Sequence, residues 1–215
     1  MKHFPGHGST TADSHLELPV INKSLQELKQ YDFAPFQQYI DAGLGGCLTA
    51  HLYIPAIDKR RVPGTMSKAY VTNLLQKKMH FNGLIFTDAL GMEGAKEVKG
   101  SVCVNAFLAG NDILLMPNEV GPEIAAIKQA IAAGKIKQKD VDARVKKILR
   151  FKYALGLDTK PQIDLANIVA DINAPESKVL QRKMVASAVT VVKSANDILP
   201  LKKLIIYLSF HNHLS

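Results

Sequence analysis

The chain has 215 residues, 47% of them hydrophobic and 21% charged, and a formal net charge of +8. These values exclude wholesale disorder and a collagen-like repeat, and the length is ample for a core in one or two domains. Two cysteines, Cys47 and Cys103, both in apolar runs, exclude a disulfide scaffold and read as buried free thiols.

The chain opens on a short strand pattern, Met1 to Phe4, followed by a turn-rich loop from Pro5 to Asn22. A helix pattern starts at Ser24, a good N-cap, is broken or restarted near Pro35, and ends by Gly43. Gly46-Cys-Leu-Thr-Ala50 reads as a short buried strand, and a loop with prolines runs from His51 to Gly64. Ser67 is placed to cap a second helix whose Val71, Leu74, Leu75 and Met79 face the core. Gly83-Leu-Ile-Phe-Thr87 is the clearest strand, a continuous apolar run suited to a parallel strand covered on both faces. A helix over about 100–109 stops at Gly110-Asn111, and Asp112-Ile-Leu-Leu-Met116 is the fourth strand pattern. Two helices follow, about 119–133 and 138–155, punctuated by Gly134 and Gly156. The alternation of strand and helix predicts an α/β fold with parallel strands.

No apolar run approaches the roughly 20 residues of a membrane span. Met1–Gly6 lacks the apolar segment of a signal peptide, but with the true N-terminus expected to lie upstream, cytoplasm and periplasm both stay open. Residues 135–152 carry eight basic side chains against two acidic ones, a net of +6 that accounts for most of the excess. Val141, Val145, Ile148, Leu149 and Leu155 recur there at helical spacing, which predicts an amphipathic helix with a basic outer side. The segment lacks the interleaved aromatics of a single-strand binder, and no helix-turn-helix or zinc-finger pattern accompanies it. The plainer reading is a solvated face, and no nucleic-acid partner is expected.

Several polar groups fall just after strand patterns: Lys2-His3, His51 and Asp88. In parallel α/β folds the C-terminal strand ends face the ligand site, so each is a candidate. On position alone Asp88 is equally a loop-starting cap. Asp13 and His15 end a loop rich in Gly, Ser and Thr; a carboxylate beside an imidazole fixes its tautomer and raises its pKa, as a general acid/base requires. Alone, the pair reads more plainly as a surface loop whose Asp13 bonds the backbone. No metal site is expected: Pro5-Gly6 prevents a helix between His3 and His7, and no cysteine or second carboxylate cluster joins them. No phosphate-loop pattern is present and no cofactor is expected.

Taken together, Lys2-His-Phe-Pro-Gly-His-Gly8, Asp13-Ser-His15, Leu48-Thr-Ala-His51, Gly83-Leu-Ile-Phe-Thr-Asp88-Ala-Leu-Gly-Met92 and Ala109-Gly-Asn-Asp-Ile-Leu-Leu115 resemble glycoside hydrolase family 3. More narrowly they resemble its β-N-acetylglucosaminidase branch. The resemblance implies a (β/α)8 TIM barrel, of which residues 1–157 hold about four C-terminal βα units. A linker is expected over 158–175, and the start of a truncated second α/β domain over 176–215, with an unmatched tail from Leu204. The resemblance thus implies a fragment, inactive alone unless it dimerises or joins the missing half; open barrel edges invite self-association. It assigns Asp88 as nucleophile and His15, paired with Asp13, as acid/base. Lys2 and His3 would bind N-acetylglucosamine hydroxyls, while His51 and Met92 would line the site. The implied activity is retaining removal of terminal β-linked N-acetylglucosamine from a glycan such as a peptidoglycan fragment. The alternatives are an inactive fragment or a β-glucosidase or β-xylosidase of the same family and, below these, on composition alone, a basic nucleic-acid-binding module.

Overall fold

The computed structural model describes residues 1–159, 162 and 164–193. It falls into two compact units, Met1–Lys160 and Pro161–Ser215.

The first unit is built on parallel strand pairing. Strand β1 (Gly46–Thr49) pairs in parallel with β2 (Leu84–Thr87), Cys47 opposite Ile85 and Thr49 opposite Thr87. Two of the four predicted strands are reduced to single parallel bridges, Phe4 to Thr49 and Phe86 to Ile113. Their hydrogen bonding still continues the sheet. The Phe4 amide donates to Leu48 O (2.8 Å), the Ala50 amide to Phe4 O (2.8 Å), and the Thr87 amide to Ile113 O (3.0 Å). The spatial order is therefore the chain order, as successive strand–helix crossovers produce.

The burial pattern follows from the pleat. Cys47, Thr49, Ile85 and Thr87 are buried, and their alternating neighbours Leu48, Leu84 and Phe86 are half-buried. The buried face packs on the crossover helices. Ser24 caps α1 (Leu25–Glu27) in a reciprocal capping box with Glu27, and the helix continues through a π-type stretch, Leu28–Asp32, into α2 (Phe33–Asp41). Pro35 sits within its restarted turn, where its missing N–H costs little. A second wide helix, Ala69–Lys78, brings Tyr70, Val71, Leu74 and Leu75 into the same core, with Met79 following. Ser67 does not cap it. Its hydroxyl donates instead to Asp58 (2.6 Å), a buried carboxylate also held by Arg60 (2.7 Å). Cys47 and Cys103 are buried and free, and burial pushes both thiols up to about 12, so neither is a reactive thiolate.

The remaining helices of this unit are α3 (Val102–Ala109), α4 (Val120–Ala132) and α5 (Gln138–Ala154). Ser101 caps α3 through the Val104 amide, and Gly110, at φ +120°, ends it. A Cβ at Gly110 would lie 2.6 Å from Thr72 Oγ1, so the sharp stop needs glycine on both counts. Helix α5 forms where predicted, but its apolar stripe is only partly used. Val141 packs against the Val104, Phe107, Ala130 and Ile136 cluster, whereas Val145 and Leu149 are exposed.

In the second unit, α6 (Ile168–Ile172) lies inside the expected linker, and α7 (Pro175–Ala188) begins with its proline in the first turn. Val189 to Val192 follow α7 as exposed, non-strand backbone. The rest of the expected second domain, from residue 194 on and including the tail Leu204–Ser215, lies outside the described residues.

Asp112 closes the sheet edge. Its carboxylate, 4% exposed, accepts from the Ile85 amide (2.9 Å) and from Lys147 of α5 (2.6 Å). Asp112→Ala leaves a buried N–H and an ammonium unpaired, and is expected to cost roughly 2–4 kcal/mol. Urea denaturation of the purified chain measures this; Lys147→Met is expected to cost less, because the carboxylate keeps its amide donor.

Candidate active site

Asp13, His15, His51, Asp88 and Met92 lie on loops after parallel strand segments, at the C-terminal end of the sheet, whereas Lys2 and His3 precede Phe4, the bridging residue of the first segment. Asp88 follows β2 directly. Its amide donates to Thr49 O (2.9 Å), and its Oδ1 accepts from the Ala89 amide (3.0 Å), so the first residues past the strand hold the carboxylate in place. Beyond it the loop doubles back on the fourth strand segment. The Leu90 amide donates to Leu115 O and the Gly91 amide to Met116 O, both at 2.9 Å. Asp88, Ala89, Gly91, Met92, Glu93, Met116, Pro117, Asn118 and His15 line one open cleft of about 640 Å³, within the range of small-molecule sites. Three of the residues expected from sequence, Asp88, His15 and Met92, thus face one space.

The His15 loop is held at both ends. Ser9 donates to Asp32 Oδ1 (3.0 Å), which fastens the early part to the first helix. Ser14 is buried, and its carbonyl accepts from the Gly94 amide (3.2 Å). A Cβ at Gly94 would lie 2.9 Å from Glu17 O and 3.0 Å from Ser14 O. Glycine is therefore required where the His15 loop meets the loop after Asp88. The Gly/Ser/Thr composition suggests a freely mobile carrier; the structure shows an anchored one.

Asp13 and His15 form an exposed pair. Asp13 Oδ1 accepts from the His15 backbone N–H (2.9 Å) and from the ring Nδ1 (2.7 Å). A carboxylate can only accept, so Nδ1 carries the hydrogen and Nε2 is the nitrogen left for chemistry. The His15 backbone N–H, and then its ring, hold the Asp13 carboxyl below the usual aspartate range. His3 and His7 approach edge to face, centroids 6.0 Å apart, and His7 Nε2 lies 3.3 Å from Ser14 Oγ. Burial pushes the His3 imidazole down, against the attraction of Asp88; Lys2, His7 and His15 act in the same direction as burial. His3 is thus close enough to Asp88 to feel its charge, while Lys2 is exposed beside it.

His51 departs from expectation. Its side chain is fully buried and does not line the cleft. Its ring nitrogens are taken by the Thr65 hydroxyl and by Ala89 O (3.0 Å). Sequence reasoning missed Thr65, whose hydroxyl bonds His51, and Asn111, whose side chain donates to Thr65 O (2.8 Å) across 46 positions. The only local signal was that Asn111 sits at a helix stop. Among the described residues no group of three metal-ligating side chains occurs.

Comparison with known proteins gives a consistent result. Residues 1–151 match the family description "Glycosyl hydrolase family 3 N terminal domain". "Beta-hexosaminidase A" of Pseudoalteromonas piscicida is 30% identical over 224 residues, covering 94% of this chain and 37% of that protein. The "Beta-hexosaminidase" of Haemophilus influenzae is 41% identical over 121 residues, covering 55% of this chain and 34% of that protein. A solved glycoside hydrolase family 3 β-N-acetylglucosaminidase from Paenibacillus superposes with a TM-score of 0.73 at 30% identity, covering 77% of this chain and 32% of that one. The chain spans about a third of the length of these relatives.

The loop geometry generates two expected outcomes. In His15→Ala, carboxyl-carbon NMR is expected to show the Asp13 titration moving up only part of the way to the ordinary value, because the backbone N–H persists. The stabilisation this carboxylate gives is present above the ordinary aspartate pKa and lost as pH falls through its depressed one. Gly94→Ala is expected to push Ser14 away, so that the residue-94 amide exchanges with solvent at least about tenfold faster by hydrogen-exchange NMR.

Proposed function

The chain belongs to glycosyl hydrolase family 3, and from that premise we propose that it acts in removing terminal β-linked N-acetylglucosamine with retention at the anomeric carbon. The observation that carries the reading is the shared cleft of Asp88 and His15, the latter tied to Asp13. In this reading the fold is about four consecutive βα units of the family's barrel, and the second unit belongs to the domain C-terminal to that barrel.

A retaining glycosidase needs a nucleophile on one face of the sugar and a proton donor at the leaving oxygen. Asp88 Oδ attacks the anomeric carbon as the glycosidic bond breaks, and an acylal-type ester to the sugar forms. His15 Nε2 gives its proton to the departing oxygen. It then takes one from the water that releases the sugar, with Nδ1 held throughout by Asp13. The pair keeps one nitrogen oriented toward the cleft in either protonation state. His3, driven toward the neutral form by burial, suits hydrogen bonding to a sugar hydroxyl, and Lys2 beside it supplies a second donor. Met92 forms part of the apolar wall.

The test is release of 4-nitrophenol from its N-acetyl-β-D-glucosaminide and from its β-D-glucoside. Faster turnover of the first is expected, with a loss of about 10³-fold or more in Asp88→Ala. His15→Ala should slow glycosides with poor leaving groups far more than the aryl substrate. Equal loss on both would remove the acid role, and no release from either substrate would remove the hydrolase reading for this chain.

A further inference from the structure

His51, the candidate residue with no exposed surface, has a definite set of partners. His51 Nε2 lies 3.0 Å from Ala89 O, and a carbonyl can only accept, so Nε2 carries the hydrogen. In a neutral ring Nδ1 is then a lone-pair acceptor, and the Thr65 hydroxyl bonded to it is the donor. Thr65 is itself fixed. Its carbonyl accepts from Asn111 Nδ2 (2.8 Å), whose Oδ1 accepts from the Thr49 hydroxyl (3.0 Å). Thr49, His51, Thr65 and Asn111 are each 1% exposed or less. This chain of buried bonds ends on Ala89, the residue after Asp88. The Ala89 amide already orients the Asp88 carboxylate, so Ala89 is gripped on both sides, by Asp88 through N–H and by His51 through C=O.

We propose that His51 is a positioning residue of the Asp88 site: set by Thr65 as the Nε2–H imidazole, it donates to Ala89 O and fixes the backbone that orients the Asp88 carboxylate. This rests on the reading of Asp88 as nucleophile. His51 touches no substrate. Its burial also disfavours the imidazolium, against the weaker opposing pull of Ala89 O and Asp88, which keeps the arrangement in one protonation state.

Long-range nitrogen–proton NMR of the full chain, labelled at histidine, tests the arrangement without any turnover. The expected spectrum shows a neutral Nε2–H ring for His51 from mildly acidic to mildly alkaline pH. Thr65→Val removes the donor to Nδ1 and is expected to populate the other tautomer and shift the Ala89 amide. His51→Leu is expected to shift the Asp88 and Ala89 amides, and His51→Gln, which restores an N–H donor, to return them toward their original positions. On the aryl N-acetylglucosaminide, His51→Leu should lower kcat about 100-fold, with KM within about twofold and recovery in His51→Gln. An Nδ1–H ring, an imidazolium at neutral pH, or Asp88 and Ala89 amides unmoved in Thr65→Val and His51→Leu would overturn the proposal. So would a change confined to KM, which marks substrate contact. If the unaltered chain hydrolyses nothing, the hydrolase reading fails alone, and the tautomer and amide shifts still decide the positioning. If His51→Leu does not fold, Thr65→Val decides it.

Discussion

A single buried side-chain amide holds the sheet, the helices and the site loops in register. Asn111 has no exposed surface, and three of its hydrogen-bonding positions are filled: two by the carbonyls of Thr65 and Ala106, one by the Thr49 hydroxyl. These partners belong to a 3-10 turn, to α3 and to β1, so one planar group of fixed geometry links three layers. Leaving any of those bonds unmade in so dry a place would cost more than the bond is worth in water, which makes the arrangement specific. The next bonds outward, from Thr65 to His51 and from His51 to Ala89, carry the same constraint to the loop that bears Asp88. Thr87 Oγ1 adds a parallel link by accepting from the Leu115 amide (2.9 Å), which tethers the opposite wall of the cleft.

The basic excess of α5 divides into two parts with different physics. Lys147 turns inward to the Asp112 carboxylate, and Arg144 lays its guanidinium 3.5 Å from the centroid of the Phe107 ring. Burial works against the charge on Arg144, offset in part by Asp112 and Asp140 and by the ring face beneath it. These two side chains fasten the helix to the unit; the other basic residues sit largely on its solvated side. A composition argument that counts eight positive charges as one surface therefore overstates the field available to a polyanion. The apolar stripe is similarly divided, since Val141 is in the core while Val145 and Leu149 are exposed among the described residues.

The helices and their stops were legible because capping and periodicity are local: Ser24 and Gly110 do in three dimensions what their neighbours in sequence imply. The parallel pairing of the strands was legible for the same reason, through the alternation of apolar runs with helical patterns. The catalytic candidates Asp88 and His15 meet in one cleft although 73 positions separate them, and only the resemblance to a family joined them beforehand. What local reasoning could not reach was the direction of side chains in loops. Asp88 is the first residue past β2 and His51 the second past β1, and one opens on the cleft while the other is sealed. The difference comes from Thr65, 14 residues on, and Gly94, whose missing Cβ lets Ser14 close over that side. Ser67 misled for a related reason: its hydroxyl is turned to donate to the buried Asp58, and no helix amide donates to its oxygen.

The two sides of the cleft are built to different standards of rigidity, and the proposed chemistry needs that asymmetry. In the proposed reading the nucleophile must meet an anomeric carbon within a fraction of an ångström, and Asp88 sits at a strand end with backbone bonds on both sides. The proton donor must serve a leaving oxygen and then a water in slightly different positions. His15 is 72% exposed, tied only through Nδ1 and its own amide to Asp13, with the anchor displaced to Ser14. A carboxylic acid in so exposed a place would be ionised at neutral pH and could not donate. An imidazole held through one ring nitrogen keeps the other free to give or take a proton, so it needs no burial to serve. An exposed loop can thus supply the acid because the residue at its tip is histidine, and the sheet can devote its buried polar bonds to Asp88.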